Sequence, residues 1–203
     1  MKIYLIWGAP KSGKTTLSKA LAKKYGISYM SVDALESILQ YYLPKEEFSK
    51  KILKGDNKKS NDDFYSENSN ESIMDSYISQ SKISYKAIRS IVETYIIEED
   101  SIVLEWFQIT PEIVYEIQKE FWSENIQEVF LIKKDKEKFL EDLHKSTTPS
   151  DWILKKTKQE STFSLIADML ILYWQYFESE AKKYDLHILN MDEDFEEKIQ
   201  SFI

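Results

Sequence analysis

The sequence contains no cysteine, which excludes disulfides and any thiolate metal site. Its two histidines, His144 and His187, are too few for a histidine-based metal cluster and read as structural or exposed residues. Arg89 is the sole arginine among the 27 Lys and Arg residues. Phosphate clamping away from it therefore falls to lysines, which act as point charges without a bidentate fork. Long apolar runs are also missing. The longest, Met169 to Trp174, is far short of the roughly 20 residues that span a bilayer. The apolar stretch Ile3 to Trp7 near the start is shorter than a secretory core, and the expected location is the cytoplasm. A net charge of −8 and a pI near 5.0 argue against a general nucleic-acid binder, which needs a basic face.

What is present is enough for a core: 42% of residues are hydrophobic and 14% aromatic. A length of 203 residues suits one α/β domain, residues 1–203, carrying an inserted subdomain. Glycine is scarce, four in all, yet Gly8 and Gly13 fall close together. They frame Gly8-Ala9-Pro10-Lys11-Ser12-Gly13-Lys14-Thr15, the full G-x-x-x-x-G-K-[ST] phosphate-binding pattern. An apolar strand, Ile3 to Trp7, enters it and a helix-prone run, Leu17 to Tyr25, leaves it. In that context the two glycines let successive N–H groups turn toward an anion, and the helix N-terminus adds partial positive charge. Gly8 through Thr15, with Thr16 beyond, are the expected nucleotide-binding residues. Lys14 is placed to reach the β- and γ-phosphates, and the Thr15 hydroxyl to ligate Mg²⁺.

The rest of the chain alternates strands with helices. Strands are expected over 27–32, 101–104, 128–133 and 186–190. Helices are expected over 34–43, 135–144, 165–183 and 195–203, with another starting at Thr110-Pro111-Glu112, a hydroxyl cap followed by proline and an acid. Ile73, Met74, Tyr77, Ile78, Tyr85, Ile88, Val92, Tyr95 and Ile96 repeat at helical spacing, giving one long or two short helices to Glu98. Residues 54–72, poor in apolar side chains, read as a mobile loop. Residues 145–160 form a polar segment with a helix start at Ser150-Asp151. Tyr173, Trp174, Tyr176 and Phe177 continue an apolar helical stripe and read as core. The acidic run 192–197 reads as a solvated helix start. Strands each followed by helix give a parallel sheet covered on both faces, the three-layer α/β arrangement.

In such sheets the ligand lies beyond the C-terminal ends of the strands. Two acids stand there, Asp33 and Glu105. Glu105 ends an apolar strand in the Walker-B manner, where a carboxylate reaches the Mg²⁺ shell or its water. Its alternative is an ordinary turn acid. Asp33 is a candidate general base or orienter of an acceptor hydroxyl, and equally a candidate helix cap.

The phosphate loop, the strand ending Ser31-Val32-Asp33, and the segment Ile102-Val103-Leu104-Glu105-Trp106-Phe107-Gln108-Ile109-Thr110-Pro111 together resemble small P-loop kinases of the nucleotide-kinase-like group. Shikimate, gluconate and 2-phosphoglycerate kinases and the zeta-toxin type are members. The resemblance implies a five-stranded P-loop NTPase sheet in the order 2-3-1-4-5. It also implies ATP with Mg²⁺ as cofactors, and phosphoryl transfer to a small acceptor, with 44–98 a helical acceptor-side insertion and 145–160 a lid. Catalytic roles then fall to Lys14, Asp33 and Glu105, the metal to Thr15 and, through water, Glu105. Asp33, Arg89 and Trp106 are assigned to the acceptor side. Two departures stand out. Trp106 occupies a position where these kinases usually carry glycine, so its indole is expected to fill space near the acceptor. The lid has no arginine; its candidate cations are Lys155, Lys156 and Lys158, which read equally well as a solvated face. The leading function is an ATP-dependent kinase acting on a small hydroxyl or phosphate acceptor, with nucleotide and acceptor as its partners. The alternatives are an ATP-binding protein or nucleotide-dependent switch without transfer, and a toxin or polynucleotide kinase-like enzyme.

Overall fold

In the computed structural model, residues 1–42, 44, 60–107, 109–121, 123–145 and 151–203 are described. Five strands form one sheet: β1 (Ile3–Gly8), β2 (Ser28–Ser31), β3 (Ile102–Trp106), β4 (Ile126–Ile132) and β5 (Ile188–Asn190). All pairs are parallel, in the order β2-β3-β1-β4-β5. This is the three-layer P-loop NTPase sheet. Every residue of the central strand β1 is buried, as a parallel strand covered on both faces requires.

The helices divide between the two faces. Helix α1 (Lys14–Tyr25) packs on one side, where Leu17 and Leu21 meet Tyr4, Ile6, Val103 and Val129. Strand alternation sends Ile3, Leu5, Trp7, Leu104 and Trp106 to the other side. That face is covered by α4 (Asn70–Ile97), α5 (Pro111–Phe121) and α8 (Glu160–Lys183). The aromatic stripe of α8 is core as its spacing indicated. Tyr173, Trp174 and Phe177 are buried there, and Tyr176 is half-buried against them. Trp7 stacks on Phe177 with centroids 3.8 Å apart.

The remaining α-helices among the described residues are α2 (Asp33–Tyr42), α3 (Asn61–Glu67), α6 (Lys136–His144), α7 (Trp152–Lys156) and α9 (Phe195–Phe202). The stretch expected as a loop over 54–72 is corrected within its described part. Ser60 accepts from the Asp63 N–H and starts α3; Ser69 accepts from the Ser72 N–H and starts α4. Serine caps with acids in the first turn stabilise helix starts that low hydrophobicity conceals. Burial of Phe64 and Tyr65 anchors α3. Residues 54–59 of that expectation, and 146–150 of the polar segment, lie outside the described residues.

Candidate active site

The phosphate loop is shaped by contacts that leave no room for side chains at its glycines. A Cβ added to Gly8 would lie 2.0 Å from Ser12 Oγ, because the loop folds Ser12 back over the end of β1. Gly13 sits at φ 93°, and a Cβ there would lie 2.3 Å from the Phe195 ring. The Ser12 N–H donates to Ala9 O at 3.2 Å and the Leu17 N–H to Gly13 O at 3.0 Å, closing the turn onto α1. Helix α1 has no side-chain cap and no acid in its first turn. Its N-terminal donors and partial charge therefore face the loop with no acid of the helix's own first turn beside them.

Beside the loop, β3 delivers Glu105. Register pairs it with Ile6 of β1 and Ser31 of β2, and its carbonyl accepts the Val32 N–H at 2.9 Å. That last bond holds Asp33, the next residue, at the same edge. Thr15 Oγ1 donates to Glu105 Oε1 at 3.1 Å. Glu105 is only 3% exposed, and its Oε2 has no hydrogen-bond partner among the described residues. A buried carboxylate oxygen left over is costly unless something else occupies it.

The charges of Lys14, Asp33 and Glu105 interact. Burial pushes the Asp33 carboxyl above its ordinary pKa; Lys14 pulls it down and Glu105 pushes it further up. Asp33 is nevertheless open to solvent on one side. Tyr29, two residues before Ser31 on the same strand face, was not expected in the site. Burial first, then the neighbouring Glu105 carboxylate and Asp33, hold its phenol well above its usual value. The signal for it was the strand alternation Tyr29, Ser31, Asp33 leading to the C-terminal edge.

The other two acceptor-side candidates do not gather with Asp33 and Glu105. Arg89 forms ion pairs with Glu93 and Glu120 and lies over the Phe121 ring. Glu120 ends α5 just before β4 begins, so this cluster belongs to the sheet edge opposite the phosphate loop. Trp106 is fully buried. As the neighbour of Glu105 along β3 it points to the other face of the sheet, into the α4, α5 and α8 layer. The lid candidates Lys155 and Lys158 are exposed and Lys156 is half-buried; Lys158 lies beside Asp62. Lys11 of the phosphate loop is ion-paired with Asp151, in the segment expected as a lid.

A Mg²⁺ ion fits this donor set. A hydroxyl and a carboxylate with a free buried oxygen suit a hard cation that takes its other ligands from phosphates and water. Among the described residues no group of three or more His, Cys, Asp or Glu side chains gathers to hold a metal by protein ligands alone. No described helix is long and apolar enough to cross a membrane.

Residues 4–96 match the family described as "ATPase family associated with various cellular activities (AAA)". No curated protein matches the sequence. Among solved structures, shikimate kinase from Bacteroides thetaiotaomicron is similar at 15% identity, with 99% of this chain and 96% of that one aligned and a TM-score of 0.52. An uncharacterized protein from Eubacterium ventriosum gives 14% identity, 100% and 96% coverage, and the same TM-score of 0.52. At these identities the likeness is one of fold, and it extends over the whole chain. The phosphate-loop sequence, the strand order and these similarities give the chain the P-loop NTPase fold that these small kinases share.

Proposed function

We propose that this chain transfers the γ-phosphoryl group of Mg·ATP to a hydroxyl or phosphate oxygen on a small molecule. The observation that carries the reading is the pair Thr15–Glu105, with its spare buried oxygen, set beside Lys14 and Asp33 at the mouth of the phosphate loop. Shikimate kinase, whose fold the chain shares, is a kinase of this kind.

In this reading the loop amides and the α1 N-terminus bind the phosphates, and Lys14 neutralises charge on the transferring group. Thr15 Oγ1 and Glu105 would hold Mg²⁺, which would supply positive charge to offset that of the phosphates. Asp33 accepts the proton of the acceptor hydroxyl or orients it; its raised pKa makes it a better base than an ordinary aspartate. Tyr29 stands close to the Glu105 carboxylate. The insertion over 44–98 and the lid over 145–160 enclose the acceptor and the nucleotide, with Lys155, Lys156 and Lys158 as lid cations. The protein works in the cytoplasm.

A nucleotide-dependent switch is the second reading, favoured by a lid without arginine. ATP consumption measured with and without a panel of small hydroxyl compounds separates the two. Acceptor-stimulated ADP release supports the kinase. Mg·ATP binding with no stimulated turnover by any of them supports the switch.

A further inference from the structure

Helix α7 is fastened at both ends. At its start, Asp151 caps the helix: Oδ1 accepts from the Ile153 N–H at 3.1 Å and the Leu154 N–H at 3.3 Å, while Oδ2 pairs with Lys11 of the phosphate loop. The Asp151 side chain is 4% exposed and that of Lys11 18%. Past its end, buried Asn61 donates to Thr157 Oγ1 at 2.9 Å. Asp62 accepts from the Lys158 and Gln159 N–H groups at 3.0 and 3.2 Å. Helices α3 and α7 are thus bonded into one body, and Lys11 joins that body to the loop.

Lys11 itself occupies φ 69°, the left-handed region where glycine is the default and a side chain is disfavoured. A long cationic side chain is kept where the backbone calls for glycine, and such a conformation persists when its surroundings hold it. Asp151 is one of the contacts that hold it here. A phosphate chain arriving on the loop amides brings a second strong anion to the same ammonium. It competes for Lys11 and repels the Asp151 carboxylate.

From this geometry we infer that Lys11–Asp151 is a latch: it holds the α3–α7 body onto the phosphate loop, and the phosphates of an incoming nucleotide release it. The inference rests on the nucleotide-binding reading of the loop. It makes Asp151 a residue that tunes nucleotide affinity from the lid, without being a ligand of the nucleotide.

The test is Asp151→Asn, because asparagine caps a helix as well as aspartate and removes only the charge. Mg·ATP and inorganic tripolyphosphate are each titrated calorimetrically into parent and variant. Both ligands should bind the variant about three- to tenfold tighter, the latch no longer withholding the competent state. Lys11→Gly should abolish that gain when combined with Asp151→Asn. In the absence of nucleotide, either single variant should show faster amide exchange over 151–160 than the parent. If Asp151→Asn does not fold, Lys11→Gly, which also relieves the backbone, decides through the exchange measurement alone. Unchanged or weaker binding by Asp151→Asn, or unaltered exchange in Lys11→Gly, overturns the latch while nucleotide binding by the parent stands. A parent that binds neither ligand overturns the phosphate-loop reading and the latch together.

Discussion

Thr15, in the first turn of α1, donates its hydroxyl to Glu105 at the end of β3 across 3.1 Å, while the other carboxylate oxygen of Glu105 stays buried and unpartnered among the described residues. In the proposed function these are the two side chains that would hold Mg²⁺. Glu105→Gln should raise the Mg²⁺ concentration needed for half-maximal nucleotide binding by about tenfold or more, since a carboxylate next to a divalent cation loses its charge. The fold should be kept, because the amide still accepts from Thr15. Titrating Mg²⁺ at fixed ATP checks this; an unchanged Mg²⁺ requirement contradicts the assignment.

Asp33→Asn should leave Mg·ATP affinity nearly intact and reduce acceptor-dependent turnover by about 10²–10⁴-fold, the usual contribution of a general base. Steady-state kinetics on an active acceptor, with ATP affinity measured separately, tests it. Loss of ATP affinity with acceptor kinetics unchanged removes Asp33 from the acceptor role.

The raised pKa of Asp33 also has a sign in stability. Its folded-state value lies above the ordinary 3.8, so the folded protein binds this proton more tightly than the unfolded chain. Its contribution is most favourable below 3.8 and is lost as pH rises through the higher folded value. Relative to Asp33→Asn, the parent should therefore lose stability as pH rises from 3.8 to the higher folded value, and the difference should then level off. Denaturant melts of both proteins over this range check it, and a difference moving the other way contradicts the cause given for the shift.

Trp7 and Tyr173 both donate to the Phe107 carbonyl, at 2.7 and 3.1 Å, and so fix the chain just past Glu105. Trp7 is also fully buried and stacked on Phe177. Trp7→Ala should cost about 3–5 kcal/mol of stability through the cavity it leaves. Urea denaturation should show the midpoint falling with little change in slope.

The parts of this molecule governed by short-range rules were legible in the sequence. The phosphate loop is one contiguous segment, and apolar strands ending in an acid placed Asp33 and Glu105 at one sheet edge. The long helix through Ile73, Tyr77, Ile88 and Val92 followed from its spacing, although its start at Asn70 and the helix at Asn61 were hidden by polar residues that cap rather than pack. Contacts between distant segments were not legible. Nothing local joins Lys11 to Asp151, or Arg89 to Glu120. The acceptor-side reading of Trp106 came from its position in the family resemblance, whereas the face its indole takes follows from strand alternation, opposite to that of Glu105.

The central claim is that the loop around Lys14 binds the phosphates of Mg·ATP. Titrating Mg·ATP into the parent and Lys14→Ala, with circular dichroism to confirm that both are folded, tests it most directly. The parent should bind, and the variant should lose binding by about 10²-fold or more, as loss of a charge-assisted contact to phosphate implies. A folded Lys14→Ala that binds Mg·ATP as tightly as the parent contradicts the account.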